Sequence, residues 1–141
     1  MQALSRPKCE LACVDPARVH EFWPHVHELI RRAMRRGDLS SFAAVEHALR
    51  VGNALLWLAT DGARIHAAAV TELTQTEWRK VCVIIACGGH ERGRWLPLIA
   101  DIEKFARAEG CTAMRIIGRK GWARVLEDYR TRHIVLEKEL S

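Results

Sequence analysis

The chain has 141 residues, 49% of them hydrophobic and 28% charged, and a formal net charge of +5. At roughly 100–200 residues per domain, residues 1–141 make one domain with enough apolar material for one core. This composition excludes disordered, collagen-like and low-complexity chains. The positive balance favours an anionic partner: a phosphorylated cofactor, a nucleic acid or an acidic surface. The longest apolar run, Val81 to Cys87, is strand-sized, far short of the roughly 18 residues of a membrane span. Met1 to Lys8 lack the apolar core of a signal peptide. The expectation is therefore a cytoplasmic protein with no membrane partner. Five cysteines, an odd number (Cys9, Cys13, Cys82, Cys87 and Cys111), argue for unbridged thiols.

Lys8 to Val14 reads as a short first strand. Asp15-Pro16 is a strong helix start, because Asp accepts from orphan amides and Pro suits the first turn. Apolar residues follow at helical spacing: Val19, Phe22, Trp23, Val26, Leu29, Ile30, Ala33 and Met34. Pro24 should kink or restart this helix, and Gly37 should close it after Arg31, Arg32, Arg35 and Arg36. A second helix spans about Ser41 to Arg50, capped by serine and closed by Gly52. Ala54 to Ala59 is an apolar strand, Asp61-Gly62 a hairpin signal and Ile65 to Leu73 the return strand. Thr74 to Trp78 turns the chain into Lys80 to Ala86, a strand for the centre of the sheet. The glycine-dense stretch Gly88 to Arg94 reads as a loop. It leads into a helix with Trp95, Leu98, Ile99, Ile102, Phe105 and Ala106 on one face, Pro97 in its first turn and Gly110 at its end. Ala113 to Ile117 is a strand, Trp122 to Asp128 a short helix and His133 to Leu140 a last strand. Strands interleaved with helices, plus consecutive hairpins, give a mixed α/β domain.

The strand, glycine-rich loop and helix of Val81 to Glu109 form the most informative unit. Free amides at a helix start bind phosphate, glycines permit close backbone approach, and Arg92 and Arg94 add forked donors. The plain alternative is a connecting turn with solvated arginines.

This order of elements, over about Lys8 to Leu140, resembles the GNAT superfamily of acyl-CoA-dependent N-acetyltransferases. Leu55 to Gly62 is similar to that family's second strand and hairpin, Ile65 to Glu72 to its third strand, and Lys80 to Gly110 to its acyl-CoA-binding motif. Cys111 to Leu140 is similar to its closing strand-helix-strand. The resemblance implies a central, mostly antiparallel sheet flanked by helices, bulged and splayed at the fourth and fifth strands. It also implies acetyl-CoA as cosubstrate, its pantetheine arm in the split and its pyrophosphate on the loop. The cofactor contacts would be Ile85, Ala86, His90, Glu91, Arg92, Gly93, Arg94 and Trp95. The family loop reads Arg or Gln, two residues, Gly, one residue, then Gly or Ala. Here Gly93 fits, while His90 replaces the first position and Trp95 the last small residue.

Acetyl transfer needs a neutral amine and a protonated leaving thiolate. The family often takes its acid from a Tyr on or after the fourth helix, so Tyr129, the single tyrosine, is one candidate, though the usual position lies nearer Leu126. Glu72 at the end of the third strand is a candidate base or substrate anchor. The bland readings are a packed aromatic and an exposed carboxylate. The acceptor would be a small-molecule or protein amine. The alternative function is a catalytically silent GNAT-fold binding or structural protein, similar to small phage- and prophage-encoded GNAT-like proteins. His20, His25 and His27 lack the three- or four-residue spacing of ligands on one helix face, so no metal is expected. The run Arg31 to Arg36 reads as a solvated helix end sooner than as a nucleic-acid contact. Cys87, just before the loop, reads as a buried thiol sooner than as a nucleophile.

Overall fold

The computed structural model describes residues 8–118 and 121–141; residues 1–7, which carry most of the leader reading, lie outside the described residues. The expected element starts follow local chemistry. After strand β1 (Glu10–Cys13), Asp15 accepts from the Ala17 amide at 2.9 Å and Pro16 opens a single 3-10 turn. Helix α1 then spans Val19–Gly37 without a break, Pro24 included. The expected restart at Pro24 is absent. Phe22, Trp23, Val26 and Ile30 pack on the core on both sides of Pro24 and hold the helix through the amide it lacks. The end comes one residue later than expected: Asp38 takes the left-handed cap conformation at φ 48°. Ser41 caps helix α2 (Phe42–Val51) through the Ala44 amide, and Gly52 closes it at φ 81°.

Strands β2 (Leu55–Thr60) and β3 (Ile65–Gln75) form the hairpin signalled by Asp61-Gly62. Asp61 Oδ1 accepts from the Ala63 and Arg64 amides, and Gly62 turns the chain at φ 91°. Strand β4 (Lys80–Gly89) runs past the expected end and takes in Gly88 and Gly89. A Cβ on Gly89 would run into the His66 carbonyl and Ala67. One on Gly88 would lie 3.1 Å from the Leu29 carbonyl oxygen of α1. These glycines serve close packing inside the sheet, which explains why glycine density was a misleading loop signal. The expected single helix after the loop is divided by Pro97 into α3 (Arg92–Trp95), a 3-10 turn at Leu96–Leu98 and α4 (Ile99–Ala108). Strand β5 (Ala113–Ile116) and the one-turn α5 (Gly121–Val125) follow.

The sheet order is β1-β2-β3-β4-β5, antiparallel except for the parallel pair β4/β5. It is thus a mixed, mostly antiparallel sheet, with β3 in the middle and β4 paired on both sides. Helices α1 and α2 cover one face around Val26, Ile30, Leu49, Leu56 and Val70. Helix α4 covers the other face around Trp57, Cys82, Ile102, Ala106 and Cys111. The Trp57 indole N–H donates to Thr71 Oγ1 at 2.9 Å inside this second core, and Phe105 meets the indole edge-on at 5.2 Å. Trp57, Val83 and Ile99 are buried, while Ile85 and Phe105 are half-buried.

Two register shifts interrupt the ladders. Val70 pairs with Ala86 but Thr71 with Ile84, so Ile85 is an extra residue in β4. Ala59 pairs with Ala67 but Thr60 with Ile65, so His66 is an extra residue in β3. The expected last strand is not formed: residues 130–141 carry no regular structure. A strand exists only against a partner, and among the described residues no strand pairs with residues 133–140. Among the described residues no helix is long and apolar enough to cross a membrane. All five cysteines are free thiols.

Leu56 is fully buried between β2 and the α1/α2 layer. Leu56→Ala is expected to lower unfolding stability by about 2–5 kcal/mol in urea titrations. Phe105→Ala, at a half-buried site, is expected to fall at or below the bottom of that range.

Candidate functional site

The bulge at Ile85 places the site. A bulge bends its strand and increases the local twist. The β4/β5 ladder covers Val81 to Ile84 against Ala113 to Ile116 and goes no further. Beyond it the Ile117 amide still reaches the Ile84 carbonyl at 3.2 Å. From Ala86 to Gly89, β4 keeps its pairing with β3 but has no strand on the β5 side among the described residues. The two parallel strands part there, and a cleft of about 360 Å³ opens, within the range of ligand pockets.

Its walls come from four places. Ala86 to Gly89 of β4 run along it, His90, Arg92 and Trp95 close one end, and Ile117, Gly118, Gly121 and Trp122 form the far side. The fourth wall is α1, through Leu29, Arg32, Ala33 and Arg36. Arg32 and Arg36 are one helical turn apart and share a face. The sequence reads the run Arg31 to Arg36 as a solvated helix end; the packing of α1 on Gly88 turns the Arg32 and Arg36 face toward the cleft. Neither arginine has a carboxylate partner among the described residues. The wall thus carries three guanidinium groups, of Arg32, Arg36 and Arg92, and no described carboxylate. Such a concave, one-signed surface concentrates anions.

Trp95 is buried as a wall of the cleft. Its indole N–H donates to the His90 carbonyl at 2.8 Å, and its ring meets Trp122 at a tilt, 6.3 Å between centroids. The indole packs there and still leaves the cleft open.

The expected cofactor contacts divide in two. Ala86, His90, Arg92 and Trp95 line the cleft; Ile85, Glu91, Gly93 and Arg94 do not. Ile85 packs toward the α1/α2 core. Glu91 sits at φ 52°, in the left-handed region rare for a side chain of its size, and starts α3. Its carboxylate pairs with Arg94 Nη1 at 3.1 Å. Arg94 also reaches Asp61 Oδ2 at 3.6 Å, so it faces the β2–β3 hairpin. The bulge at His66 buries that imidazole, whose Nε2 lies 2.7 Å from Asp61 Oδ2 and whose Nδ1 lies 3.7 Å from Glu91. This cluster ties the hairpin to the residues before α3 and fixes the end of the cleft from behind. Sequence reading gave His66 no role; a bulge is invisible without the partner strand.

Neither catalytic candidate lines the cleft. Tyr129 donates its hydroxyl to Glu103 Oε2 at 2.6 Å on the α4 side. Burial, with that bond second, raises its pKa far above the phenolic range. Glu72 lies on β3 opposite Val83, half-buried. Cys87 does line the cleft, but burial pushes its thiol up to about 12, so thiolate is scarce. Among the described residues no group of three or more His, Cys, Asp or Glu is placed to hold a metal ion.

No protein-family model and no curated protein sequence matches the chain. Solved structures do. An aminoglycoside acetyltransferase from an uncultured soil metagenomic sample, in complex with sisomicin, superposes with a TM-score of 0.68 at 11% identity, over 94% of this chain and 97% of that one. A predicted acetyltransferase from Clostridium acetobutylicum, with acetyl-CoA, gives 0.66 at 12% identity over 94% and 96%. A GNAT family acetyltransferase from Staphylococcus aureus gives 0.65 at 14% identity over 94% and 99%. The fold is that of GNAT acetyltransferases.

The hydrogen bond from His66 holds the Asp61 carboxyl well below the usual carboxylate range, and the Ala63 and Arg64 amides add to the effect. A carboxyl depressed in the folded state takes up its proton first in the unfolded chain. Its contribution is therefore complete above the ordinary Asp pKa of about 3.9 and declines as pH falls below it. Melting curves against pH should show Asp61→Asn less stable than wild type at neutral pH. That gap should narrow as pH falls from about 4.

Proposed function

We propose that the chain is a GNAT-type acyltransferase, with acetyl-CoA as donor and an amine as acceptor. The observation that carries this reading is the basic cleft where β4 parts from β5. The unpaired edge of β4 from Ile85 to Gly89 offers backbone groups to the amides of a pantetheine arm. Arg32, Arg36, Arg92 and His90 supply the positive charge and donors that a nucleotide's phosphates require. The neighbour solved with acetyl-CoA supports the choice of donor, and the one solved with sisomicin supports an amine as acceptor.

The chemistry is direct transfer. The amine lone pair attacks the thioester carbonyl carbon, the C–S bond breaks, and the acyl group passes to nitrogen as an amide. CoA leaves as a thiolate, and the proton lost by nitrogen neutralises it through solvent or the His90 imidazole. No covalent enzyme intermediate is needed, in keeping with the raised Cys87 thiol. The protein's contribution is to hold amine and thioester together in a cleft partly shielded from water. Tyr129 and Glu72, absent from the lining, take no part in the transfer in this reading.

A second reading has its own observation: neither a carboxylate nor a phenol lines the cleft among the described residues. A chain of this fold that binds acyl-CoA without transferring the acyl group fits that lining equally well.

Calorimetric titration with CoA should give one site whose affinity falls as salt rises. Arg32→Gln and Arg36→Gln should each weaken it by about 1.5 kcal/mol, roughly tenfold. Absence of CoA binding at millimolar ligand overturns the reading. CoA binding with no acetyl product across primary amines selects the silent alternative.

A further inference from the structure

We propose that Asp61, His66 and Arg94 are positioning residues for the donor: they hold the Glu91 carboxylate out of the cleft, and so keep its phosphate end free of a competing anion. This rests on CoA as the ligand of the cleft.

Glu91 stands between two residues that line the cleft, His90 and Arg92, and does not line it itself. Its backbone is left-handed, at φ 52° and ψ 60°. Among the described residues only Asp38, a helix cap, shares a positive φ without being glycine. Such a conformation is unfavourable for a long side chain and persists only where the surroundings impose it.

Two groups hold Glu91 on the side away from the cleft. Arg94 Nη1 lies 3.1 Å from Glu91 Oε2, and His66 Nδ1 lies 3.7 Å from the same oxygen. Both groups are fixed in turn by Asp61 Oδ2, 3.6 Å from Arg94 Nη2 and 2.7 Å from His66 Nε2. Asp61 is itself set by the hairpin, because its other oxygen accepts from the Ala63 and Arg64 amides. His66 is buried, and its carbonyl accepts from the His90 amide at 2.8 Å. The Glu91 side chain is 44% exposed, so charge, more than burial, keeps it where it is.

The opposing pull comes from the cleft. Arg92 is the next residue, and Arg32 and Arg36 stand on the α1 wall. Guanidinium groups that attract phosphates attract a carboxylate through the same field. A Glu91 carboxylate turned inward would occupy donors that the phosphates need and repel the phosphates themselves. Arg94 and His66 settle which way it turns. Arg94 thus acts on CoA through Glu91, without lining the cleft.

The test is calorimetric titration of CoA into the full chain as wild type, Glu91→Gln, Arg94→Gln and the double variant. The two single variants break the same ion pair, so a role confined to bracing the fold makes both of them bind CoA less well. The proposal expects them to differ. Arg94→Gln should weaken CoA about tenfold, Glu91→Gln should bind as tightly as wild type or tighter, and the double variant should bind like Glu91→Gln. Arg94→Gln with wild-type affinity overturns the proposal, as does weakened binding by Glu91→Gln. A double variant as weak as Arg94→Gln overturns it too, since Arg94 would then act on the phosphates in its own right. If Arg94→Gln does not fold, Arg94→Lys takes its place, keeping a cation but not the fork that reaches two carboxylates. Its binding should be weaker than wild type and restored by Glu91→Gln; wild-type affinity overturns the proposal. A wild type that binds no CoA at millimolar ligand overturns the reading of the cleft and the proposal together, while every other failure overturns the proposal alone.

Discussion

The extra residue at Ile85 is the constraint from which the rest of the site follows. Upstream, β4 is locked on both sides: Val81, Cys82 and Ile84 are fully buried, paired to β3 and β5 at once. At Ile85 the ladder to β3 shifts by one residue, and the ladder to β5 ends at the residue before. A strand in a parallel pair cannot turn from its partner without exposing backbone groups that need other partners. The cleft between the strands is therefore lined by backbone as well as side chains.

The other features hold this opening in place. Gly88 lets α1 approach to van der Waals distance, which carries Arg32 and Arg36 to the rim. Gly89 admits the close crossing of β3 at His66, and the second bulge turns the His66 imidazole toward Asp61. Asp61, His66, Glu91 and Arg94 then brace the residues before α3 from the side away from the cleft. Two arginines close in sequence thus have different surroundings: Arg92 lines the cleft, and Arg94 joins the brace. Pro97 shortens the helix that follows the loop. A four-residue α3 has little macrodipole to offer an anion, and the arginine side chains supply most of the positive charge.

Much of the fold was legible in the sequence because its signals are local. Asp15-Pro16, Ser41, Gly52 and Asp61-Gly62 act through their own neighbours, and the structure uses each as its chemistry dictates. The apolar runs of β2 and β4 are buried on both faces, so their sequences are continuous. What was not legible depends on partners distant in sequence. Gly88 and Gly89 look like a loop until α1 and β3 are placed against them. The shared face of Arg32 and Arg36 was visible, but not what it would face. The bulges at His66 and Ile85 are properties of pairs of strands. Residues 133–140 carry a strand's pattern, and pattern alone does not supply an edge to pair with. Of the residues expected to contact a cofactor, Ala86, His90, Arg92 and Trp95 line the cleft wall, while Glu91 and Arg94 belong to a cluster whose members lie far apart in sequence.

The central claim is that the opening beside Ile85 receives CoA. Hydrogen exchange of the full chain with and without CoA tests it most directly, because it reads the β4 backbone itself. The account predicts that CoA slows exchange from Ala86 to Arg92 and around Ile117 to Trp122, while β1, β2 and the Thr76–Arg79 turn stay unchanged. Protection that spares Ala86 to Arg92 and appears elsewhere would contradict it.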